Sequence, residues 1–308
     1  MRESEIIELF LKHLKKQGDL PLGDDAGALR LGDEWLVATN DMLVRKTDVP
    51  DIMTPEQVGF KAVTMNVSDV AAMGARPVGF LFSLGVPRDM DRGYLEGIAR
   101  GMGRALEFYG LPVLSADTNE SDDLIIDGVA MGITKKPLTR SGAKPGDLVC
   151  VTGDLGRALA GLLVWMEDVD VSPTTRRVLY GKLLEPRARV REGAKLSGVA
   201  NAAIDVSDGL SKELHLLARM SEVRIDVNSG AIPLMEETIE VAELLGRNPV
   251  EIALASGEEF ELVFTIPARR ADELSFEFSI IGKVSEGKGV YIDGEPMPVL
   301  GWEHMSGR

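Results

Sequence analysis

The stretch from Lys61 to Pro77, KAVTMNVSDVAAMGARP, restricts the possible folds of this chain more than any other segment. From Val58 to Met73 its residues are apolar on almost every side of a helix, and such a helix is buried. Asn66 and Asp69 lie three residues apart, on one side of that helix. Burying an unpaired carboxylate is costly, so Asp69 predicts a cation, a metal ion or dense hydrogen bonding around it. The alternative is that Asp69 caps a neighbouring backbone segment.

Further aspartates stand in apolar or glycine-rich surroundings, at predicted strand ends or tight turns: Asp24, Asp25, Asp41, Asp117, Asp205 and Asp208. Any one of them alone is more simply explained as a structural cap. If several met in one site, each would raise the pKa of its neighbours, so a shared site requires cations. Oxygen ligands favour Mg²⁺ or Mn²⁺ over zinc, and the three histidines show no ligand spacing. We therefore predict that these segments converge on a metal–nucleotide complex.

The net charge of −15 limits the partners of such a site. An acidic surface repels nucleic acid and anionic membranes, so neither is expected as a partner. It also repels phosphates, so a nucleotide would have to be bridged to the protein by divalent cations. The apolar runs fall short of a bilayer span, the start of the chain lacks a signal-peptide pattern, and Cys150 is the only cysteine. These features predict a cytoplasmic protein.

Strands and helices alternate along the sequence, which predicts an α/β fold with α+β layers. The segment 135–147, KKPLTRSGAKPGD, is rich in proline, glycine and charge, so we place a domain boundary there. The predicted domains are residues 1–136 and 137–308. One strand is predicted from Trp35 to Thr39, just before Asn40 and Asp41, and another from Pro112 to Thr118, so that Asp117 lies at its end.

The sequence lacks the G-x-x-x-x-G-K-[ST] pattern, so it does not predict a P-loop. Arg140, beside Ser141 and Gly142, is a candidate for gripping a triphosphate, because a guanidinium binds phosphate through two hydrogen bonds. The alternative for Arg140 is an ordinary surface side chain. No Ser-His-Asp or Cys-His arrangement is evident, which argues against covalent acyl chemistry. The residues alone thus predict phosphoryl transfer at a multi-Mg²⁺ carboxylate site, without naming a substrate.

Seven segments, in sequence order, resemble the thiamine-monophosphate kinase family: GDDAGAL, NDMLV, MNVSDVAAMGARP, SADT, LTRSGAKPGD, AIDVSDGL and SGEEFEL. That family belongs to the superfamily of aminoimidazole-ribonucleotide synthetase. The resemblance implies the two-domain fold of the superfamily, with an N-terminal domain that binds ATP and Mg²⁺ and pairs its sheet with that of a second copy in a homodimer. It also implies transfer of a phosphoryl group from ATP to thiamine monophosphate, giving thiamine diphosphate, with several Mg²⁺ ions and no phosphoenzyme.

The resemblance also implies a role for particular residues. The expected metal ligands are Asp25, Thr39, Asn40, Asp41, Asp69, Asp117, Asp205 and Asp208. The expected nucleotide contacts are Tyr109, Ala116, Asp117, Arg140 and Ser207. The expected contacts to thiamine monophosphate are Asp48, Glu258 and Trp302. The residues expected to support the direct in-line transfer are Asp41, Asp69, Arg140 and Asp205.

Two departures from the family pattern concern these contacts. The loop 45–50, RKTDVP, is one residue shorter than expected and offers Thr47 or Asp48 where the family has a histidine. The usual S-T-D reads Thr39-Asn40-Asp41. Two other readings stay open: another ATP-dependent enzyme of the superfamily, similar to aminoimidazole-ribonucleotide synthetase, and a non-catalytic nucleotide-binding partner.

Overall fold

Two separate β-sheets organise the chain, and they divide it near residue 140. The computed structural model describes residues 3–14, 18–20 and 23–302. The first half contains helices α1 (Glu3–Leu11), α2 (Arg45–Asp48), α3 (Pro55–Ala72) and α4 (Arg92–Tyr109). Its strands are β1 (Gly27–Leu31), β2 (Glu34–Val44), β3 (Arg76–Val86), β4 (Val113–Glu120) and β5 (Ile125–Thr134). They form one sheet in the order β1-β2-β5-β3-β4.

The second half forms a larger mixed sheet covered by helices. Its strands are β6 (Asp147–Thr152), β7 (Ala202–Asp205), β8 (Arg224–Val227), β9 (Leu262–Pro267), β10 (Phe278–Ser285), β11 (Gly289–Ile292) and β12 (Glu295–Pro296). Its helices are α5 (Arg157–Met166), α6 (Pro173–Leu184), α7 (Val190–Leu196), α8 (Leu210–Ser221), α9 (Glu236–Leu244) and α10 (Pro249–Ala255). The strand order is β12-β11-β8-β10-β6-β9-β7. Two sheets with helical layers confirm the predicted α/β, α+β-layered fold.

Helix α3 is the buried helix that the sequence predicts. Thr54 caps its first turn, and the side chain of Gln57 closes the reciprocal capping box. Most of its residues are buried, including Asn66 and Ser68. One side packs on the first sheet and on α4, and the other meets the second domain. Gly193 of α7 allows that contact, since a Cβ there would lie 2.1 Å from the carbonyl oxygen of Ala71.

The strands extend further than the sequence predicts. Strand β2 continues to Val44, so Asn40 and Asp41 lie within it rather than at its end. Strand β4 likewise continues past Asp117 to Glu120. Neither segment contains a glycine or proline to stop the strand, and both are held by continuous pairing with their neighbours. Within the described part of the chain, no helix is long and apolar enough to cross a membrane.

Candidate active site

Three aspartates from distant parts of the chain meet at the domain interface. Asp25 precedes β1, Asp69 lies on α3, and Asp205 ends β7. Each offers a carboxylate oxygen, and these oxygens all lie within 4.8 Å of one another. Asp25 and Asp205 are buried, at 8% and 1% exposure. The predicted convergence of aspartates from both domains is therefore confirmed for these three.

Among the described residues, two oxygens of this trio lack a hydrogen-bond partner: Oδ2 of Asp25 and Oδ1 of Asp205. Burial, followed by the charge of Asp25, raises the pKa of Asp205 to about 8. Burial, with the carboxylates of Asp41 and Asp205 next in importance, raises the pKa of Asp69 well above its ordinary value. Native proteins rarely leave buried acceptor atoms unpaired. The trio therefore has the chemistry of a cation site.

Short hydrogen bonds hold the trio in place. The Ser68 hydroxyl donates to Oδ2 of Asp205 across the domain interface, at 2.6 Å. The Thr39 hydroxyl donates to Oδ2 of Asp69, also at 2.6 Å. The carboxylate of Asp41 is near enough to raise the pKa of Asp69. Thr39 and Asn40 border a pocket of about 220 Å³ beside Asp25. Thr39 and Asp41 thus lie on the face of β2 beside the trio, whereas Asn40 lies on the opposite face. The predicted metal ligation of all three stays a prediction.

Arg140 binds the turn that carries Asp25. Its Nη2 donates to Oδ1 of Asp25 at 2.6 Å, and its Nη1 donates to the carbonyl oxygen of Gly23 at 2.9 Å. Its backbone N–H donates to Oδ1 of Asp24 at 2.6 Å. Burial raises the pKa of Asp25, and the Arg140 guanidinium opposes that shift. Arg140 therefore already touches one carboxylate of the trio, which places it beside any phosphate bound there.

Two predicted substrate residues, Glu258 and Trp302, form backbone hydrogen bonds with the loop from Asp205 to Asp208. The N–H of Glu258 donates to the carbonyl oxygen of Ser207 at 2.7 Å. The N–H of Trp302 donates to the carbonyl oxygen of Asp208 at 2.9 Å. Glu258 adopts a φ of 57°, a conformation that non-glycine residues rarely hold without functional or tertiary support. Trp302 is 47% exposed.

The buried side chain of Lys61 contacts both Glu258 and Asp48, two of the predicted substrate residues. Its side chain is 1% exposed, and its ammonium forms an ion pair with the Glu258 carboxylate. The same ammonium donates to the carbonyl oxygen of Asp48 at 2.8 Å. The carboxylate of Asp48 instead accepts from the N–H of Val44, at 2.7 Å. Asp48 and Glu258 are therefore brought together by a lysine that the sequence analysis did not single out.

Strand pairing in the first sheet fixes the faces on which Asp41, Ala116 and Asp117 lie. Asp41 pairs in register with Gly128, and that row of the sheet faces α3, because a Cβ at Gly128 would lie 2.3 Å from the side chain of Asn66. Phe82 pairs with Gly128 on one side and with Ala116 on the other, so Ala116 lies in the same row as Asp41. Asp117 is one residue further on and faces the opposite side. Three strand spacings of about 4.8 Å separate its strand from that of Asp41, or about 14 Å. Asp117 does not join the trio, and its predicted roles remain untested.

Two further predicted residues are held by neighbours within the chain. The hydroxyl of Tyr109 accepts from the N–H of Ala188 at 2.9 Å and lies 3.1 Å from the hydroxyl of Thr64. The carboxylate of Asp208 forms an ion pair with Lys212 at 2.7 Å. Asp208 is thus close in sequence to the trio but separately paired. The proposed contacts of Tyr109 and Asp208 with ligand or metal stay predictions.

Comparison with known proteins identifies the family. The model for the N-terminal domain of AIR synthase related proteins matches residues 23–134, and the model for their C-terminal domain matches residues 144–295. The thiamine-monophosphate kinase of Pyrococcus abyssi (strain GE5 / Orsay) is 54% identical over 311 residues, covering 100% of this chain and 97% of that protein. The chain belongs to the thiamine-monophosphate kinase family. The thiamine-monophosphate kinase of Aquifex aeolicus is 36% identical, with 98% of each chain covered.

Solved structures agree with the family assignment. A structure described as "AaThiL complexed with AMPPCP and TMP" has a TM-score of 0.92 and 34% identity, and the match covers 99% of this chain and 97% of that one. A hydrogenase maturation protein, HypE, in complex with ATP has a TM-score of 0.73 at 22% identity. The second likeness extends to the fold alone. These comparisons confirm the predicted two-domain superfamily fold.

Sequence reasoning missed several residues that shape the site. Ser68 stands inside the Val-Ser-Asp motif, but nothing in the sequence indicates that it donates to a carboxylate 137 positions away. Glu213 is 4% exposed, and burial with the nearby charge of Asp205 raises its pKa well above the ordinary value. Lys61 carried one available signal, since it is a lysine within an otherwise apolar buried helix.

Proposed function

We propose that this protein transfers the γ-phosphoryl group of ATP to thiamine monophosphate, forming ADP and thiamine diphosphate. The observation that carries the proposal is the meeting of Asp25, Asp69 and Asp205, from both domains, with two buried oxygens that lack a partner. The family membership supports the choice of substrates. Thiamine-monophosphate kinases at 54% and 36% identity match this chain over nearly its whole length.

The donor set suits Mg²⁺. It consists of oxygen atoms only, and partnerless buried carboxylate oxygens are what a hard divalent cation would satisfy. Asp25, Asp69 and Asp205 would hold the first ion, with Asp41 and Thr39 at its edge. When bound, such ions neutralise phosphate charge and stabilise the charge that develops during phosphoryl transfer. The proposal includes several ions for each site.

The residues of the chain perform the remaining work by positioning. The acceptor is a phosphate oxygen of thiamine monophosphate, which is already ionised at neutral pH, so no strong general base is needed. In-line attack on the γ-phosphorus requires the two anions to be aligned and held together. Arg140, whose guanidinium donates to Asp25, would orient the triphosphate. Glu258 and Trp302 would hold the thiamine moiety, by hydrogen bonding and stacking respectively.

The proposed enzyme is a homodimer that pairs the first sheets of two copies. One face of that sheet packs on α3, and the other carries apolar side chains in adjacent rows. Leu29, Leu31 and Met42 are 49%, 57% and 54% exposed, and they lie on that open face with Val129 and Met131. An exposed apolar sheet face of this kind marks an interaction surface. Light scattering coupled to size-exclusion chromatography should give twice the 33.3 kDa chain mass.

The kinase proposal is tested by measuring ADP formation with ATP, Mg²⁺ and a panel of phosphorylated acceptors. Turnover should require both Mg²⁺ and thiamine monophosphate, and ³¹P NMR should show the diphosphate product. Without acceptor, no phosphorylated protein should accumulate, because transfer is direct. Nucleotide binding without turnover for any acceptor would refute the proposal and favour a non-catalytic role. Preference for another phosphorylated acceptor would favour a different enzyme of the superfamily.

Variants of the trio give a second test. Asp69→Asn should lower kcat by at least about a hundredfold, by analogy with losing one electrostatic stabiliser of a transition state. Asp226→Asn is a matched control, because Asp226 is an aspartate paired with Arg224 on the second sheet, away from the trio. Equal activity loss in the two variants would contradict the assignment.

A further inference from the structure

A second pocket, of about 520 Å³, lies in the second domain against the first turn of α3. Its walls include five cationic side chains and an aromatic ring: Arg157, Arg177, Lys182, Arg187, Arg189 and Tyr180. This concentration of positive charge is unexpected in a chain with a net charge of −15. The volume falls within the range of small-molecule sites, roughly 300–1,000 Å³.

Some of these charges are already balanced by neighbouring acids. Arg157 pairs with Asp154 at 2.5 Å. Lys182 and Arg189 share the carboxylate of Glu261, at 2.6 and 2.5 Å. Lys182 also lies 3.6 Å from Glu259, whose pKa is raised by burial. These pairs are structural and do not by themselves make a ligand site.

Arg177 and Arg187 differ from the other three. Neither forms an ion pair or hydrogen bond with another residue of the described chain, and both are exposed. The guanidinium of Arg187 stacks over the ring of Phe108, with 5.0 Å from its central carbon to the ring centroid. Stacking fixes the plane of the guanidinium and leaves its N–H edge free to bind an oxyanion. Glu185 also lines the pocket, and its carboxylate pairs with Arg104 at 2.5 Å. The pocket therefore presents two arginines that lack an acidic partner among the described residues.

The pocket is separate from the carboxylate trio. Gln57 forms its edge, and Asp69 is twelve residues further along the same helix. At ~1.5 Å per residue, about 18 Å of helix lies between them. The chemistry of the two places is also opposite. The trio is a cluster of acids, which repels phosphates until cations bind, whereas cationic side chains predominate in the lining of the pocket.

We propose that this pocket is a metal-independent binding site for the diphosphate group of a small organic molecule. Two arginines without acidic partners match an anion of two or more charges, and guanidiniums bind phosphate oxygens through paired hydrogen bonds. The volume exceeds what a diphosphate group alone would fill, and Tyr180, Leu184 and Pro186 offer apolar surface to an organic moiety. Both products of the proposed reaction carry such a group, and that link alone rests on the proposed function.

The test uses the full-length protein in EDTA, where the trio has no cations and cannot hold phosphates. Isothermal titration calorimetry with inorganic pyrophosphate, ADP and thiamine diphosphate should show saturable binding that weakens as salt is added. Arg177→Glu combined with Arg187→Glu should weaken pyrophosphate binding by about tenfold or more. The matched control reverses two exposed arginines outside the pocket, Arg176→Glu with Arg191→Glu, and should stay within about twofold of the wild type.

The comparison among the three probes identifies the organic moiety, since the one that fits the pocket should bind more tightly than pyrophosphate. Circular dichroism checks that each variant is folded, and Arg177→Gln with Arg187→Gln replaces the charge-reversed pair if that pair does not fold. The absence of saturable pyrophosphate binding in EDTA would overturn the proposal. Equal weakening in the pocket variant and the control would also overturn it, because diffuse surface charge would then explain the binding. Neither outcome depends on kinase turnover.

Discussion

Replacing Asp205 by asparagine should make the metal-free protein more stable while removing its response to Mg²⁺. The side chain is 1% exposed, and one of its oxygens lacks a partner. Burial and the neighbouring Asp25 raise its pKa from the ordinary 3.8 to about 8. A pKa raised by folding means that the stability contributed at low pH is lost as the pH rises from about 3.8 towards 8.

The size of this effect follows from the shift. At pH 7 the medium is about 3 units above the unfolded pKa, and each unit corresponds to ~1.4 kcal/mol. At pH 7 Asp205 is ionised in the unfolded chain but mostly protonated in the folded one, so the metal-free protein is less stable than at low pH by up to about 4 kcal/mol. Asparagine carries no charge, and its amide oxygen still accepts from Ser68. For a chain of this size, 4 kcal/mol corresponds to about 6 °C in the unfolding midpoint.

Differential scanning calorimetry measures both parts of the prediction. In EDTA at pH 7, Asp205→Asn should melt several degrees above the wild type, and the gap should close as the pH falls towards 4. Added Mg²⁺ should raise the midpoint of the wild type but not of the variant. Asp226→Asn serves as control, because hydrogen bonding to Arg224 lowers the pKa of Asp226 and its loss should be slightly destabilising. A variant that melts below the wild type in EDTA, or that keeps its Mg²⁺ response, would refute the reasoning.

Four further substitutions test other parts of the structure. Glu261→Gln should destabilise the protein by about 3 kcal/mol in denaturant titrations, because the buried Lys182 ammonium loses its closest carboxylate; an unchanged midpoint would argue against that role. Gly101→Ala should lower the melting temperature, since its methyl group would lie 1.9 Å from a carbonyl oxygen of α3, whereas Gly103→Ala faces open space and should stabilise α4 by up to about 1 kcal/mol. Shifts of the same sign would contradict this packing. Lys61→Met should raise KM for thiamine monophosphate about tenfold with little change in KM for ATP, because its carboxylate partner would be misplaced; steady-state kinetics in which both constants rise equally would refute it.

The helix α3 was predictable because several local signals agree. Its continuous apolar pattern, the capping residues at Thr54 and the proline that follows all indicate one buried helix. The meeting of Asp25, Asp69 and Asp205 was predictable from their shared chemistry, since buried carboxylates need compensation. Neither inference required knowing how the strands pair.

Features that depend on register or on distant partners were not predictable. The side of the sheet on which Asp117 lies depends on pairing through four strands, and a one-residue slip would reverse it. The sequence does not reveal that Glu259, one of three glutamates between Ser256 and Glu261, accepts a hydrogen bond from the N–H of Gly156 at the start of α5. It also does not reveal that Glu261 pairs with the side chains of Lys182 and Arg189, both more than 70 positions away in the sequence.

The three aspartates of the trio come from both halves of the chain, so a protein split between the two domains would also split the trio. A break between residues 134 and 144 would leave Asp25 and Asp69 on one fragment and Asp205 on the other. Each fragment keeps a complete β-sheet, yet neither keeps a complete ion site. On the proposed function, splitting the protein there should give two inactive fragments, and Mg²⁺ should promote their reassociation because the ion would bridge the two halves of the chain.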